Sequence, residues 1–322
     1  MASTIVQLEL SDPSDITAAI HDWHWEINQL QPGDFNGSAM LLQFDPLHIA
    51  RLNINQPALQ RLRCGPHGYA VLICGYSSGE VFAASHLLQP SDYVLLQPGS
   101  EIDILSRGEA TIIVVSVGGA TMAANPAAGG QPPLTRGTAR VLRGDSPSYT
   151  DISACIGRAE TIFSQSAPYP SPAARASLAR QLLASLNATT SSPAFLERNP
   201  CRPIRRRVAV ERARNYIRAH LSEPIKLADL CQHAHLQERS LEYGFREIVG
   251  LRPMAYIKML RLCEVHRRLL TEAYMDRNIS QLALDSGFSH LGQFATDYKR
   301  HFRESPSTTR NRTRSHYRGA SA

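Results

Sequence analysis

The 322-residue sequence lacks the features of a membrane-spanning or disulfide-rich protein. Its longest apolar stretch, Thr111 to Val117, is far too short to cross a bilayer. The N-terminal MASTIVQLELSDPSD lacks the basic start and long apolar run of a signal peptide. The six cysteines are scattered without a C-x-x-C pair, which favours reduced thiols over a disulfide framework or a zinc knuckle. We therefore expect a cytoplasmic protein.

Charged residues make up only 19% of the chain, and their signs are unevenly distributed. From Cys201 to Ala322 there are 23 Lys and Arg against 12 Asp and Glu, whereas the first 200 residues hold 11 and 16. A basic half beside an acidic half suggests a polyanion partner for the C-terminal part. Charge alone also allows a basic face that is merely solvated.

Residues from about Ser38 to Val117 predict a β-rich domain, because short apolar runs alternate with Pro, Gly and Ser turns. The runs are SAMLLQF, LHIARLNI, GYAVLICG, YVLLQPG, EIDILS and TIIVVSV. Their regular spacing indicates a small sandwich or barrel. Two helices are predicted at Tyr149–Ser166 and Pro172–Leu186, the second with an apolar stripe that either packs within the domain or forms a dimer seam. The stripe consists of Leu178, Leu182, Leu183 and Leu186.

The remainder of the chain divides into a linker and a helical region. Asn187 to Arg207 is polar, basic and proline-containing, as expected of a linker. After it, helical patterns follow one another, and Pro253 begins a long predicted helix that ends at Leu270. At 1.5 Å per residue this helix is roughly 27 Å long, comparable with one DNA turn of roughly 34 Å.

The helical region contains an internal repeat. Leu230 and Leu236 match Leu282 and Phe288 at an offset of 52. After one inserted residue the offset is 53, and the matched pairs are Leu241 and Phe294, Phe245 and Tyr298, Val249 and Phe302, and Pro253 and Pro306. Each copy predicts a short helix, a turn and a second helix, which is the helix-turn-helix arrangement. Phe288, Phe294, Tyr298 and Phe302 are then predicted to be core residues.

The outward side of each second helix is the candidate DNA-reading face. In the first copy, Arg239 could pair with guanine and Glu242 could accept from cytosine. In the second, the side chains are small or apolar and suit thymine methyl groups, and Gly292 costs a helix roughly 1 kcal/mol relative to Ala unless close approach requires it. Basic residues nearby suit phosphates, with a solvated helix end as the alternative. They are Lys299, Arg300, Arg303, Arg310, Arg312 and Arg314.

The run from Ala213 through Arg312 resembles the C-terminal domain of AraC/XylS-type bacterial transcription regulators. The resemblance depends on Ile225-x-Leu227-x-x-Leu230, Arg239-x-Leu241, Phe245, Gly250-x-x-Pro253-x-x-Tyr256, Arg261-Leu262, Ile279, Gly287-Phe288, Phe294, Tyr298-Lys299, Phe302 and Ser305-Pro306. It implies seven helices, two of which read DNA, and an N-terminal cupin-like domain that senses a ligand or dimerises. By the same alignment, the base-facing residues are Arg239, Glu242, Tyr243, Leu291, Gly292, Ala295 and Thr296.

The chain departs from the family pattern at two positions. The second reading helix of the family usually ends with a glycine, where this chain has Arg303, and a capping Ser is usual where it has Gln237. Within the family, Gln31-Pro32-Gly33-x-Phe35-x-Gly37 and HLGQFATDYK are similar to the regulators of ethanolamine-utilisation operons. That similarity would imply ethanolamine or a cobalamin as the effector.

The sequence thus predicts an α+β protein that regulates transcription and is not an enzyme. Residues 1–186 form a cupin-like β-barrel domain with two helices, 187–207 a linker, and 208–322 an all-α domain with two helix-turn-helix units. No cofactor, metal or catalytic residue is expected; promoter DNA, RNA polymerase, an effector of unknown identity and a second copy of the chain are the expected partners.

Three alternatives remain open at this point. The first is a DNA-binding regulator that has no ligand and is controlled by a partner protein. The second is a metal-cupin enzyme, although His48, His67 and His86 are isolated. The third is an alkyl-accepting role for Cys201, which lacks the expected neighbouring histidine.

Overall fold

The computed structural model describes residues 4–16, 23–118 (without 45–46, 66–67, 85 and 91), 139–142, scattered positions between 150 and 185, and 205–320. Strands occupy the described residues before position 143, and helices occupy 205–320. The predicted α+β class is confirmed in this outline. The strands are β1 (Thr4–Leu10), β2 (His24–Gln29), β3 (Gly37–Phe44), β4 (Leu47–Ile54), β5 (Ala58–Arg63), β6 (Gly68–Ser77), β7 (Val81–Ala83), β8 (His86–Leu87), β9 (Tyr93–Leu96), β10 (Glu101–Ser106), β11 (Ala110–Gly118) and β12 (Ala139–Leu142).

These strands form two antiparallel sheets. The larger has the order β1-β3-β4-β11-β6-β9-β12, and the smaller has the order β2-β5-β10-β7-β8. Apolar side chains from both sheets share one core, among them Trp25, Leu62 and Ile104 from the smaller sheet and Leu52 and Ile112 from the larger. Because period-2 alternation points every second side chain into this core, the six apolar runs predicted strands correctly.

The sequence did not predict β1, β2, β5, β7, β8 and β12. The second strand, β2, begins at His24. The pattern of β2 is obscured by polar residues: Asn28 and Gln29 are buried, and both make hydrogen bonds to helical residues far away in sequence. Because the helical domain covers its outer face, β2 does not show the alternation of apolar and polar residues that marks a half-exposed strand.

Seven α-helices lie within 205–320, as the family resemblance implies. They are α1 (Arg205–Ala219), α2 (Leu227–Ala234), α3 (Glu238–Ile248), α4 (Pro253–Leu270), α5 (Ile279–Asp285), α6 (Leu291–Phe302) and α7 (Pro306–Ala320). The long helix has the predicted bounds, and its Ile257, Leu260, Val265 and Leu269 are buried as expected. Helix α1 begins three residues inside the predicted linker, because Arg206 and Arg207 pack on aromatic rings there.

Several predicted features lie outside the described residues. The linker from 187 to 204, Cys201, His67 and the stripe of Leu178, Leu182, Leu183 and Leu186 all belong to this group. Some positions of the two predicted helices are described, and 150–154 are helical with Ile152 buried. Within the described part of the chain, no helix is long and apolar enough to cross a membrane, and no group of side chains could hold a metal ion.

The four cysteines that the structure describes form no disulfide bonds with one another. Burial raises the pKa of Cys64 to about 11 and that of Cys263 to about 12, so both thiols are protonated at neutral pH. A protonated, buried thiol is a poor nucleophile and a poor metal ligand. Cys64 and Cys263 therefore act as small apolar residues.

The smaller sheet packs directly on the helices, and we call this contact the junction. Its apolar part is formed by Leu30, Leu59, Phe82 and Leu105, which share a buried cluster with α1, α3 and α4. Burying four such side chains contributes on the order of 1.5–3 kcal/mol each. The junction therefore holds the β domain firmly on the helical domain.

Ion pairs complete the junction on the side of α1. The guanidinium of Arg214, whose side chain is 4% exposed, contacts the Asp103 carboxylate of β10 at 2.8 Å. Its Nη1 contacts Glu211 at 2.9 Å, and its Nε donates to the Tyr256 hydroxyl at 3.3 Å. Burial alone would lower the pKa of Arg214, but Glu211 and Tyr256 raise it above its usual value. Arg214 is therefore charged, and its charge is balanced inside the protein.

A second set of polar contacts lies at α4 and α6. His266 of α4 makes a 2.6 Å contact through Nε2 with Asp12 and a 2.6 Å contact through Nδ1 with the Tyr298 hydroxyl. The Gln29 side chain and the Gly33 amide both donate to the main-chain oxygen of His301, at 3.0 and 3.2 Å. The Gln31–Gly37 segment, quoted above for an effector resemblance, thus contacts the C-terminal end of α6.

The junction predicts a dependence of stability on pH. Burial lowers the pKa of His301 from 6.5 to about 4, although a hydrogen bond with the Gln29 backbone raises it; His266 and Arg300 lower it further. A depressed histidine pKa means that the unfolded chain takes up a proton first as the pH falls. The free energy of unfolding should therefore decrease by roughly 2–3 kcal/mol between pH 6.5 and pH 4.

Urea denaturation across this pH range measures the effect. His301→Gln, which keeps a side chain able to reach the Gln29 backbone, should flatten the dependence. His290→Gln changes an exposed histidine and should leave the dependence as it is. If the stability of His301→Gln depends on pH as strongly as that of the wild type, another group is responsible.

Below pH 3.8, Asp12 causes a further decrease in the free energy of unfolding. Burial raises the pKa of Asp12, but the hydrogen bond and charge of His266 lower it to about 2.

Candidate nucleic-acid interface

The first helix-turn-helix unit consists of α2 and α3. Its turn contains His235, whose φ of 52° is in the left-handed region. Helix α3 buries Leu241, Gly244, Phe245 and Ile248 against the core. Gln237 precedes α3 and makes no side-chain capping hydrogen bond, which agrees with the prediction that it is a poor cap.

The second unit consists of α5 and α6. Asn278 caps α5 by accepting a hydrogen bond from the Ser280 amide at 2.8 Å. Helix α6 buries Phe294 and Tyr298, while Phe288 and Phe302 are partly buried against the same cluster. All four aromatic residues are thus core residues, as predicted.

The repeat extends to the backbone conformation. In the turns, His235 with φ 52° matches Gly287 with φ 88°. After the reading helices, Gly250 with φ 80° matches Arg303 with φ 61°. These pairs keep the offsets of 52 and 53 found in the sequence. The glycine that the family usually has in place of Arg303 is therefore explained, because a left-handed residue without a Cβ is not strained.

This geometry predicts opposite effects of two matched substitutions. Arg303→Gly should raise the free energy of unfolding by about 1 kcal/mol, because it removes left-handed strain. Gly250→Arg should lower it by about the same amount, since a Cβ at Gly250 meets nothing within 4 Å and only the conformation is penalised. Urea denaturation of both variants measures the effects. Shifts of the same sign would contradict the matched conformations.

The predicted base-facing residues lie on the outward sides of α3 and α6. Arg239 is exposed, Tyr243 is 58% exposed and Glu242 is half-buried. On α6, the corresponding residues are exposed; they are Leu291, Gly292, Ala295 and Thr296. The Thr296 hydroxyl donates to the Gly292 carbonyl at 3.0 Å, so its proton is already used within the helix. Each helix thus presents a face that its own domain does not cover.

The predicted phosphate contacts divide into two groups. Lys299, Arg300 and Arg303 are exposed, and Arg300 also contacts Asp297 at 2.5 Å. The tail arginines are engaged within the protein instead. Arg310 is buried and donates to the Arg277 carbonyl, and Arg314 donates to the Met275 carbonyl at 2.9 Å. We therefore remove Arg310 and Arg314 from the phosphate group.

Nothing in the described structure requires a glycine at position 292. Its φ is not left-handed, and a Cβ added there would meet nothing within 4 Å. Gly292→Leu should therefore raise the free energy of unfolding by up to about 1 kcal/mol, through helix propensity alone. The same variant should bind DNA more weakly, if a duplex approaches this backbone closely. Urea denaturation and duplex titration test the two parts, and tighter binding would contradict close approach.

One contact of the reading surface was not predicted. The Arg206 guanidinium lies over the Tyr243 ring, 4.8 Å from its centroid, and contacts Glu247 at 2.8 Å. The basic run of Arg205 to Arg207 was interpreted only as linker charge. Its position just before the first apolar periodicity, at Val208 to Ala213, could have indicated the first turn of a helix.

A cleft of about 620 Å³ lies beside the junction. Its polar lining includes Asp12, His266 and Arg267, and its apolar lining includes Cys263 and Phe302. Residues from both the β domain and α4, α6 and α7 contribute to its wall. A molecule bound there would contact both domains at once.

The match to a protein family lies within the helical domain. The family described as "Helix-turn-helix domain" matches residues 230–312. The XylDLEGF operon transcriptional activator 2 of Pseudomonas putida is 36% identical over 132 residues, which are 41% of this chain and 79% of that protein. The probable thc operon regulatory protein of Rhodococcus erythropolis is 33% identical over 98 residues, 30% of either chain. The crystal structure of a probable AraC family transcriptional regulator from Rhodopseudomonas palustris is 35% identical, covering 33% of this chain and 97% of that one, with a TM-score of 0.31.

Proposed function

The chain belongs to the AraC/XylS family of DNA-binding transcription regulators, and on this premise we propose that it activates transcription from two-part promoter sites as a homodimer in the cytoplasm. Its matched relatives are regulators and not enzymes, which confirms that prediction. RNA polymerase is the proposed further partner. The observation that carries the proposal is the presence of two uncovered reading faces, on α3 and α6, joined by the single helix α4.

The two faces are proposed to have different tasks. The first unit presents polar side chains, Arg239, Glu242 and Tyr243, which can discriminate bases by hydrogen bonds. The second unit presents apolar and small ones, which are limited to contacts with thymine methyl groups and to close approach. Lys299, Arg300 and Arg303 follow at the end of α6 and are proposed to hold phosphates.

We propose the β domain as the cupin-like sensor within residues 1–186, followed by the linker 187–207 and the DNA-binding domain 208–322. Large side chains such as Trp25 fill the space between the sheets. The junction cleft is therefore the better candidate for the effector site. An effector that changes the cleft would alter the contacts between the two domains, which is a shift between two states of different affinity.

Selection from a random duplex pool with the full-length chain tests DNA recognition. The enriched sites should contain two motifs about one helical turn apart. The affinity for such a site should fall steeply with salt, because several phosphates are neutralised. A pool that remains random in dilute salt would refute the proposal.

A thermal-shift panel of small molecules separates a sensor from a regulator controlled only by a partner protein. A ligand at 100 times its dissociation constant adds roughly 2.7 kcal/mol to the stability of the form it binds. Ethanolamine and cobalamins belong in the panel because of the Gln31–Gly37 resemblance. Arg267→Ala, in the cleft wall, should abolish a stabilisation that Arg63→Ala, at an exposed position at the end of β5, retains.

A further inference from the structure

Helix α1 approaches the reading helix α3 unusually closely. At Gly244, an added Cβ would lie 2.9 Å from Val210 and 3.0 Å from the Arg206 side chain, both on α1. Only glycine allows this approach without displacement of a neighbour. Gly244 immediately follows Tyr243, so the close contact brings the first turn of α1 beside a proposed base-facing residue.

Arg206 uses this approach to contact two residues of α3. Its guanidinium lies 4.8 Å from the centroid of the Tyr243 ring, and its Nη1 donates to Glu247 at 2.8 Å. Tyr243 and Glu247 are four residues apart and therefore lie on one side of the helix. A planar guanidinium that stacks on a ring and pairs with a carboxylate restricts the rotation of that ring.

The β domain contacts both the first turn of α1 and the reading helix. The guanidinium of Arg207, which follows Arg206, lies 5.4 Å from the centroid of the Phe82 ring in β7. Arg107 of the β domain contacts the same stretch of α3 by donating to the main-chain oxygen of Glu247 at 2.8 Å. The first turn of α1 is thus fixed between the β domain and the reading helix.

We infer that Arg206 is a positioning residue for base recognition by α3: it fixes the Tyr243 ring in the orientation that meets the base pair. The inference rests on the proposed function. Arg206 acts through Tyr243 and is not a base contact itself. Its positive charge neutralises Glu247, which would otherwise repel the phosphates beside the groove.

The test measures selectivity and affinity separately, with the full-length chain and its selected duplex. A set of duplexes varied at each base pair of the first motif identifies the pair that loses preference in Tyr243→Ala. Arg206→Lys keeps the charge but loses the planar stack. It should reduce the preference at that base pair about two- to fivefold, while the salt dependence stays the same. Arg205→Lys, at the exposed neighbouring position, should change neither quantity.

A double-mutant cycle makes the result decisive. In a Tyr243→Ala background, Arg206→Lys should cause no further loss of preference, because the ring it positions is absent. Equal losses in both backgrounds, or an even loss of affinity at all sites, would overturn the inference in favour of a phosphate contact. A wild-type chain without any base preference would overturn the proposed function as well. Urea denaturation of each variant establishes that the reading helix is folded.

Discussion

Asp103→Ala should lower the free energy of unfolding by about 3 kcal/mol, because it removes a buried carboxylate that three arginine side chains share. Arg214 is 4% exposed, and Arg218 also contacts Asp103. Arg61 of β5 lies 3.3 Å from the same carboxylate. After the substitution, the three guanidinium groups repel one another in a region that water reaches poorly. Urea denaturation of the full-length chain measures the loss.

The strand that carries Asp103 provides a matched control. Glu101 is two residues away on β10 and contacts Arg63, whose side chain is 63% exposed, at 2.7 Å, and Arg61 at 3.2 Å. Glu101→Ala should cost less than about 1 kcal/mol, because the Glu101 side chain is 34% exposed and solvent screens its ion pairs. Equal losses in the two variants would contradict the claim that burial makes the Asp103 pairs strong. The double variant Asp103→Leu with Arg214→Met should recover part of the loss, since it leaves one fewer buried charge unpaired.

Arg239→Ala should weaken binding to the selected duplex by about 1–3 kcal/mol and relax the preference at one base pair. Arg239 is exposed near the start of α3, where a side chain can reach the edge of a base. A bidentate contact to guanine carries sequence information, so its loss affects sites with and without that guanine differently. Titration against a panel of duplex variants measures both the affinity and the preference.

Lys299→Ala is the comparison for Arg239→Ala. Lys299 is exposed in the last turn of α6, where a positive charge meets phosphates rather than bases. Its loss should weaken binding evenly across all sites and reduce the salt slope by about one unit. If the two variants behave alike on the panel, the division into base-reading and phosphate-holding residues is wrong.

The helical domain could be predicted from the sequence because its signals are local. The bounds of α4 follow from Pro253 and from apolar residues at helical spacing, and the repeat follows from matched pairs such as Phe245 and Tyr298. The reading faces followed from the repeat, since the side opposite a buried aromatic stripe is exposed. These features need no knowledge of distant parts of the chain.

The junction could not be predicted, because its partners are far apart in sequence. Asp12 and His266 are separated by 254 positions, and Gln29 and His301 by 272. Local hydrogen bonds, such as those of Asp12 with Ser14 and of Gln29 with Gln31, do not reveal that these residues are buried. The Gln31–Gly37 segment illustrates the difficulty: it was recognised as a motif, but its contact with the end of α6 depends on the docking of two domains.

The β domain contacts both helix-turn-helix units at the same time. It reaches the first through Arg107 and Glu247, and the second through Gln29, Gly33 and His301. A rotation of the sheet about either contact would stretch the other. Neither reading helix can therefore tilt alone while both contacts persist. The two reading helices would then lose or gain their contacts with DNA together, in a single step.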